Sequence, residues 1–360
     1  MMRHSSRQPD KTKHTDTLRE SFSGRLEGVW TMLAPLSHKG ESHGTDAYLD
    51  TTEIIGANGQ PTEVFVYHGN ALRGMWRDAG TIYMLDALDV LGMSLEVFYL
   101  LFSGGAMKAG DGTIDIDRAR QMRSAMPLLS VLGGAVGSQT LSGKLACGDA
   151  YPLCKEVQHI IPKPLRADDS PSWRQLITER THTRMDDAKN VRFERYLAQP
   201  PAPEIKLLAG AVEAEEASSA TGTGSDEQRK SKERPPQQMR YMEEVLRLGS
   251  RLWQRMDVRD LTKLELGALV SAVAQWSRWP YIGGNARIGM GRVRVAYHWY
   301  PANPSDEAHK TGVRFLTVED NMLELSPVAG TAKDAYDAYL REYREYLREN
   351  KGVLSALLET

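Results

Sequence analysis

The chain has 360 residues, 41% of them hydrophobic, and carries 45 lysines and arginines against 47 aspartates and glutamates, a net charge of −2. That composition allows a real core, in two ordinary domains or one domain with large insertions, and excludes a protein that is basic all over. Two cysteines, Cys147 and Cys154, make neither a disulfide framework nor a zinc ligand set, and no apolar stretch is long enough to span a membrane.

Any polyanion site must therefore be a local stripe. Residues 1–17 carry Arg3, Arg7, Lys11 and Lys13 among polar residues and read as a mobile basic arm rather than a signal peptide. A cytoplasmic location is expected. From Phe22 to Met32, apolar Phe22, Leu26, Trp30 and Met32 oppose Arg25, Glu27 and Thr31, the alternation of a half-exposed strand. Residues 35–61 read as a polar loop holding His38, Lys39, His43, Asp46 and Asp50. His38 and His43 lack a third or fourth partner, so no metal site is expected there.

Val64 to Tyr67 is a short apolar strand, and Gly69-Asn70 turns the chain into a helix. Arg73 and Arg77 are four apart and share one face of it. Near a helix start they would reinforce the anion preference of its unpaired N–H groups. Residues 93–102 and 117–132 are helix-like, the second interrupted at Pro127 and ended by Gly133-Gly134. Residues 141–146 suggest a strand that Asp149-Ala150-Tyr151-Pro152 closes as a turn.

Residues 161–238 break the globular pattern. The part from Arg174 to Arg195 is highly charged and includes Arg180, Arg184, Lys189, Arg192 and Arg195. Residues 200–238, rich in Ala, Ser, Gly, Pro and charge, read as a flexible insertion, its default role a solvated linker. Residues 242–258 fit strands or a helix. Residues 262–279 form an amphipathic helix on Leu266, Leu269, Val270, Val273 and Trp276, and residues 331–350 another on Tyr336, Tyr339, Leu340, Tyr343 and Leu347.

Between the first of these helices and a strand of alternating Val293, Val295, Tyr297 and Trp299 lies the most informative stretch, residues 281–295. It holds four glycines, three arginines and Asn285. Glycines let the backbone turn sharply and approach a ligand, and arginines supply fork-shaped donors for phosphate oxygens. The order of elements rules out a dinucleotide fingerprint, and the missing Gly-Lys-Ser/Thr rules out a Walker loop. A plain tight turn and a polyanion-contacting loop remain as equal alternatives.

Three elements now stand in order. They are Gly69-Asn70-Ala71-Leu72-Arg73-Gly74; Gly137-Ser138 followed by Gly143-Lys144-Leu145 and Asp149-Ala150; and the glycine loop before a C-terminal strand. Together they resemble the repeat-associated (RAMP) superfamily of CRISPR proteins, most of all the guide-RNA-binding backbone subunit of type IV systems, over roughly residues 20 to 300. The resemblance implies an α+β fold, an RNA-recognition-motif (ferredoxin-like) palm with inserted finger, thumb and flexible segments. The palm's first half with its fingers would span 18–160, thumb and flexible insertion 161–239, the second half with the glycine loop 240–300, and a C-terminal extension with its helix 301–360. Residues 173–195 are the part offered as thumb.

The implied function is that of a non-catalytic scaffold. Copies would stack head to tail along a guide RNA (crRNA) and present its spacer to complementary target DNA or RNA, beside other CRISPR effector subunits and away from membranes. The resemblance carries RNA contacts onto Asn70, Arg73 and Arg77, onto Asn285 and Arg287, onto Arg180 and Arg184 in the thumb, and more loosely onto Lys39. It implies no cofactor, no metal ligand and no catalytic residue. The alternative is a metal-dependent endoribonuclease. Cutting relatives use an aspartate in the loop after the first strand, where Asp50 stands with Asp46 as a rival.

Overall fold

Apolar residues on alternate positions make β1 (Phe22–Met32) a strand with Leu26, Trp30 and Met32 turned into the core. The computed structural model describes residues 21–90, 92–105, 116–136, 139–183, 240–303, 305–326 and 335–359. The arm expected at 1–17, the pair Gly137-Ser138 and the insertion at 200–238 lie outside these residues.

After β1 come β2 (Lys39–His43), β3 (Asp46–Leu49), β4 (Thr51–Ile55), β5 (Pro61–Phe65) and α1 (Gly69–Leu88). Then follow α2 (Leu95–Ser103), α3 (Ile116–Ala125), α4 (Pro127–Leu132), β6 (Gly134–Val136), β7 (Gln139–Leu141) and β8 (Leu145–Pro152). The middle of the chain gives β9 (Ile177–Thr183), β10 (Arg240–Leu246), β11 (Arg251–Leu261) and α5 (Lys263–Ser277). It ends with β12 (Val293–Pro301), α6 (Ala308–Thr311), β13 (Val313–Glu319), β14 (Met322–Leu325), α7 (Ala335–Glu349) and α8 (Lys351–Glu359).

The expected polar loop at 35–61 is therefore largely strand. All five residues of β2 are exposed, so no apolar alternation marks it in the sequence. The supposed turn at Asp149–Pro152 is the second half of β8, and residues 242–258 resolve into β10 and β11 joined through Gly249. The chain is α+β.

The chain divides into two compact units, the larger made of residues 1–41, 48–178 and 244–360. Its main sheet has the order β14-β13-β12-β1-β11-β8. β1 runs antiparallel to both β11 and β12, with Trp30 opposite Leu252 and Val295, and β11 runs antiparallel to β8. In chain order β1-α1-β8-β11-α5-β12 is strand–helix–strand–strand–helix–strand, and its four strands are neighbours as β12-β1-β11-β8.

The buried face of this sheet meets α1, where Trp76 lies edge-on to Tyr297 at 6.3 Å. A polar chain crosses the core. Trp30 Nε1 donates to the Tyr297 hydroxyl at 2.8 Å, that hydroxyl donates to Gln254 Oε1 at 2.8 Å, and Gln254 Nε2 donates to the Gly148 carbonyl at 2.9 Å. Each of these buried groups thus has the partner it needs to avoid an unpaired polar atom, and the chain ties β1, β12, β11 and β8 together. Thr262 caps α5 and Glu265 returns the bond to the Thr262 N–H, the reciprocal arrangement of a capping box. The C-terminal stripe is core at Tyr339, Tyr343 and Leu347, with Tyr343 stacked on Tyr83 of α1. Both thiols are pushed up to about 12, chiefly by burial, so Cys147 and Cys154 behave as small apolar residues.

The smaller unit comprises residues 42–47 and 179–243. Among its described residues, Met242 and Glu243 pair in parallel with Asp46 and Ala47, and the His182 ring stacks on Tyr241 at 5.4 Å.

Candidate nucleic-acid interface

The start of α1 is fixed by its contact with β8. A Cβ on Gly69 would strike the carbonyls of Cys147 and Gly148, so only glycine lets the helix begin against that strand. The Gly69 N–H donates to Asp149 Oδ1 at 2.8 Å. The positive end of the helix is thus met by a carboxylate of the chain itself, in place of the anion site expected there from sequence.

His68, the residue before the helix, lies between two carboxylates. Its Nε2 is 3.1 Å from Asp50 Oδ2 and its Nδ1 is 3.6 Å from Asp149 Oδ1. His38 Nε2 is 3.9 Å from the same Asp50 oxygen. Burial holds His38 below the usual imidazole range, with Asp50 opposing and His68 reinforcing the shift. Four residues from separate segments therefore form one network. In the sequence the nearest histidine to His38 is His43, which belongs to the smaller unit. Among the described residues, no group of three or more His, Cys, Asp or Glu side chains is placed to hold a metal ion.

Arg77 departs from its expected role. It is only 6% exposed, and its Nη1 and Nη2 donate to the carbonyls of Gly133 and Leu132 at 3.0 and 3.2 Å. Burial is the main reason its guanidinium falls to about 10; the like charge of Arg73 adds to the shift and Asp78 opposes it. Arg77 is thus a strut that satisfies carbonyls at the end of α4, where no helical N–H can reach them. Arg73 is half-buried, and Asn70 is exposed in the first turn. Residues at helical spacing carry α1 into a groove, but they are Ala71, Gly74, Met75 and Asp78 rather than the arginines.

The other side of that groove is the glycine loop. Gly291 has φ +79°, and a Cβ there would strike the Ile282 carbonyl, so this glycine closes the base of the loop. Its N–H donates to the Pro35 carbonyl at 2.8 Å, and the Gly284 N–H donates to the Ser37 carbonyl at 2.7 Å. The Gly283 N–H donates to the Tyr67 hydroxyl at 3.3 Å, and burial pushes that phenol up to about 12. Part of the glycine content thus serves the loop's own closure, which is the tight-turn alternative. The tip still projects. Asn285 adopts φ 61° and precedes the short turn Ala286–Ile288, on which Arg287 is exposed.

The groove measures about 810 Å³, and Lys39, Gly283, Gly284 and Ala286 line it together with α1. The structure therefore gathers Lys39 and the glycine loop that carries Asn285 and Arg287. It leaves Arg73 off the groove and Arg77 inside the protein. Arg180 is exposed on β9 in the smaller unit, and Arg184 lies outside the described residues.

Two groove residues escaped the sequence reading. Trp279 and Tyr281 flank Pro280 just before the glycine loop, and their rings stack with centroids 4.8 Å apart. A large aromatic at the very end of an amphipathic helix, off its buried stripe, was the available signal. The opposite face of the main sheet borders a second opening, of about 820 Å³, lined by Arg25, Arg123, Lys144, Arg255 and Arg259. Three arginines of that face meet carboxylates, Arg25 with Glu27 at 2.7 Å, Arg255 with Asp257 at 2.7 Å and Arg294 with Glu319 at 2.8 Å.

No helix among the described residues is long and apolar enough to cross a membrane. No protein-family model and no curated protein sequence matches the chain. Comparison with solved structures finds two partial similarities. One, described as "Type IV-B CRISPR Complex", has 16% identity and a TM-score of 0.49 over 76% of this chain and 90% of its own. The other, "Crystal structure of Thermofilum pendens Csc2", has 16% identity and a TM-score of 0.35 over 95% of this chain and 79% of its own.

Proposed function

We propose that the chain is a non-catalytic backbone subunit of a type IV CRISPR ribonucleoprotein, which holds the phosphate backbone of a guide RNA along the groove between α1 and the glycine loop. The observation that carries this reading is one open groove of about 810 Å³ lined by Lys39 and by Gly283, Gly284 and Ala286 of the loop whose tip carries Asn285 and Arg287. Contacts of this type give affinity without reading sequence, which is left to pairing between guide and target. The order β12-β1-β11-β8 supports an RNA-recognition-motif palm, because a strand–helix–strand–strand–helix–strand chain in that order is the ferredoxin-like arrangement.

Lys39→Ala with Arg287→Ala weakens RNA binding roughly ten- to a hundredfold, to a similar degree for unrelated sequences, and flattens the salt dependence by about 0.7 log–log unit per lost phosphate contact. Fluorescence anisotropy over a series of salt concentrations checks this. Unchanged affinity, or a loss confined to one sequence, contradicts the groove as the backbone site.

The non-catalytic part of the reading rests on Asp50. Its carboxylate is held by His68 and flanked by His38, and the other acid of the network, Asp149, bonds the opposite nitrogen of the His68 ring rather than joining Asp50. A lone carboxylate binds a hard cation weakly. The assembled complex with magnesium or manganese therefore leaves a complementary RNA intact on a denaturing gel. Regularly spaced fragments that disappear in Asp50→Ala would establish the endoribonuclease instead.

A further inference from the structure

Trp279 is 60% exposed, an unusual state for the largest apolar side chain. It is nevertheless firmly mounted. The Trp279 N–H donates to the Trp276 carbonyl at 2.9 Å, and the Tyr281 N–H donates to the Trp279 carbonyl at 2.8 Å. Trp276 Nε1 donates to the Tyr281 carbonyl at 3.1 Å, and the Val293 N–H donates to the Pro280 carbonyl at 3.0 Å. The two rings stack at an interplanar angle of 27°, and both border the groove that holds Lys39 and the glycine loop. Arg278 is exposed beside Trp279, and Arg287 is exposed on the loop tip.

From this arrangement we infer that Trp279, backed by Tyr281, is a stacking platform for one unpaired base of the bound RNA. The inference rests on the RNA-binding reading and adds to it a contact with a base rather than a phosphate. A pre-stacked aromatic pair offers a flat π surface without a side chain having to be ordered on binding, and bases stack on such surfaces whatever their identity. Arg278, next to Trp279 in the chain, and Arg287, on the loop that lines the same groove, suit the phosphates that flank a base. An apolar surface of a second copy of the chain would gain nothing from those cations, so the nucleobase is the occupant that the surroundings fit.

The test uses the full chain, a short labelled single-stranded RNA, and the same sugar–phosphate chain made abasic. Trp279→Ala binds the RNA roughly five- to a hundredfold more weakly, the effect of losing one base stack, with the salt slope unchanged. Trp279→Phe keeps most of the affinity. Wild type and Trp279→Ala bind the abasic chain equally. Wild-type RNA affinity in Trp279→Ala, or an equal loss on the abasic chain, overturns the platform while leaving the groove reading intact. A wild-type protein that binds no RNA overturns both. Self-association without RNA that Trp279→Ala abolishes would assign the groove to a second copy and also overturns the platform. Thermal melting of both variants confirms that each loss is measured on folded protein.

Discussion

Replacing Arg77 with alanine destabilises the protein by about 3 kcal/mol or more and leaves the RNA affinity of the folded fraction unchanged. Two carbonyls, those of Leu132 and Gly133, depend on the guanidinium, and each buried acceptor left unpaired costs about 1–3 kcal/mol. The truncation also opens a cavity under α1, which adds the loss of packing around it. Removing the buried charge offsets part of this, because a lone guanidinium is costly to desolvate. Arg77→Met separates the contributions. It keeps much of the volume and loses only the donors, so its melting temperature falls between those of wild type and Arg77→Ala. Thermal melting paired with RNA titration reads both quantities. A stable Arg77→Ala protein that binds RNA poorly would return Arg77 to the interface.

That residue shows what a sequence can and cannot say here. Spacing of four put Arg73 and Arg77 on one face of α1, but the two positions are still rotated by about 40° on a helix of 3.6 residues per turn. One can point inward while the other stays at the boundary, and periodicity alone does not tell which. Where burial follows a strong pattern, sequence and structure agree. β1 matches its expected bounds, the break between α3 and α4 falls at Pro127, and α5 starts at the Thr262 cap. The turn-helix at Gly69 and the strand after the glycine loop also stand where the spacing put them.

Elements without an apolar face were invisible. β2 is exposed at every position, and β8 carries Asp149 and Pro152, residues that more often end a strand than belong to one. The network of His38, Asp50, His68 and Asp149 joins segments that only the tertiary fold brings together, so no local spacing announces it. The glycine loop was half legible. Its density of glycines signalled a special backbone, but the sequence could not separate Gly291, needed to close the loop, from the exposed tip that carries Arg287.

The central claim is that this chain assembles along RNA, and the mass of the particle tests it most directly. A subunit that repeats along a strand meets its neighbours through two different surfaces, and such a heterologous contact does not close on itself. With no closure in the protein, the RNA sets the length. On this account the cations that grip phosphates would work at every step along the strand, so each added stretch of guide would recruit another copy. Mass photometry on the protein mixed with guide RNAs of increasing length should therefore show masses that rise in steps of about one subunit of 40.2 kDa plus its share of RNA, and nuclease should collapse them. A particle of one fixed mass, unchanged by guide length and resistant to nuclease, would contradict the account.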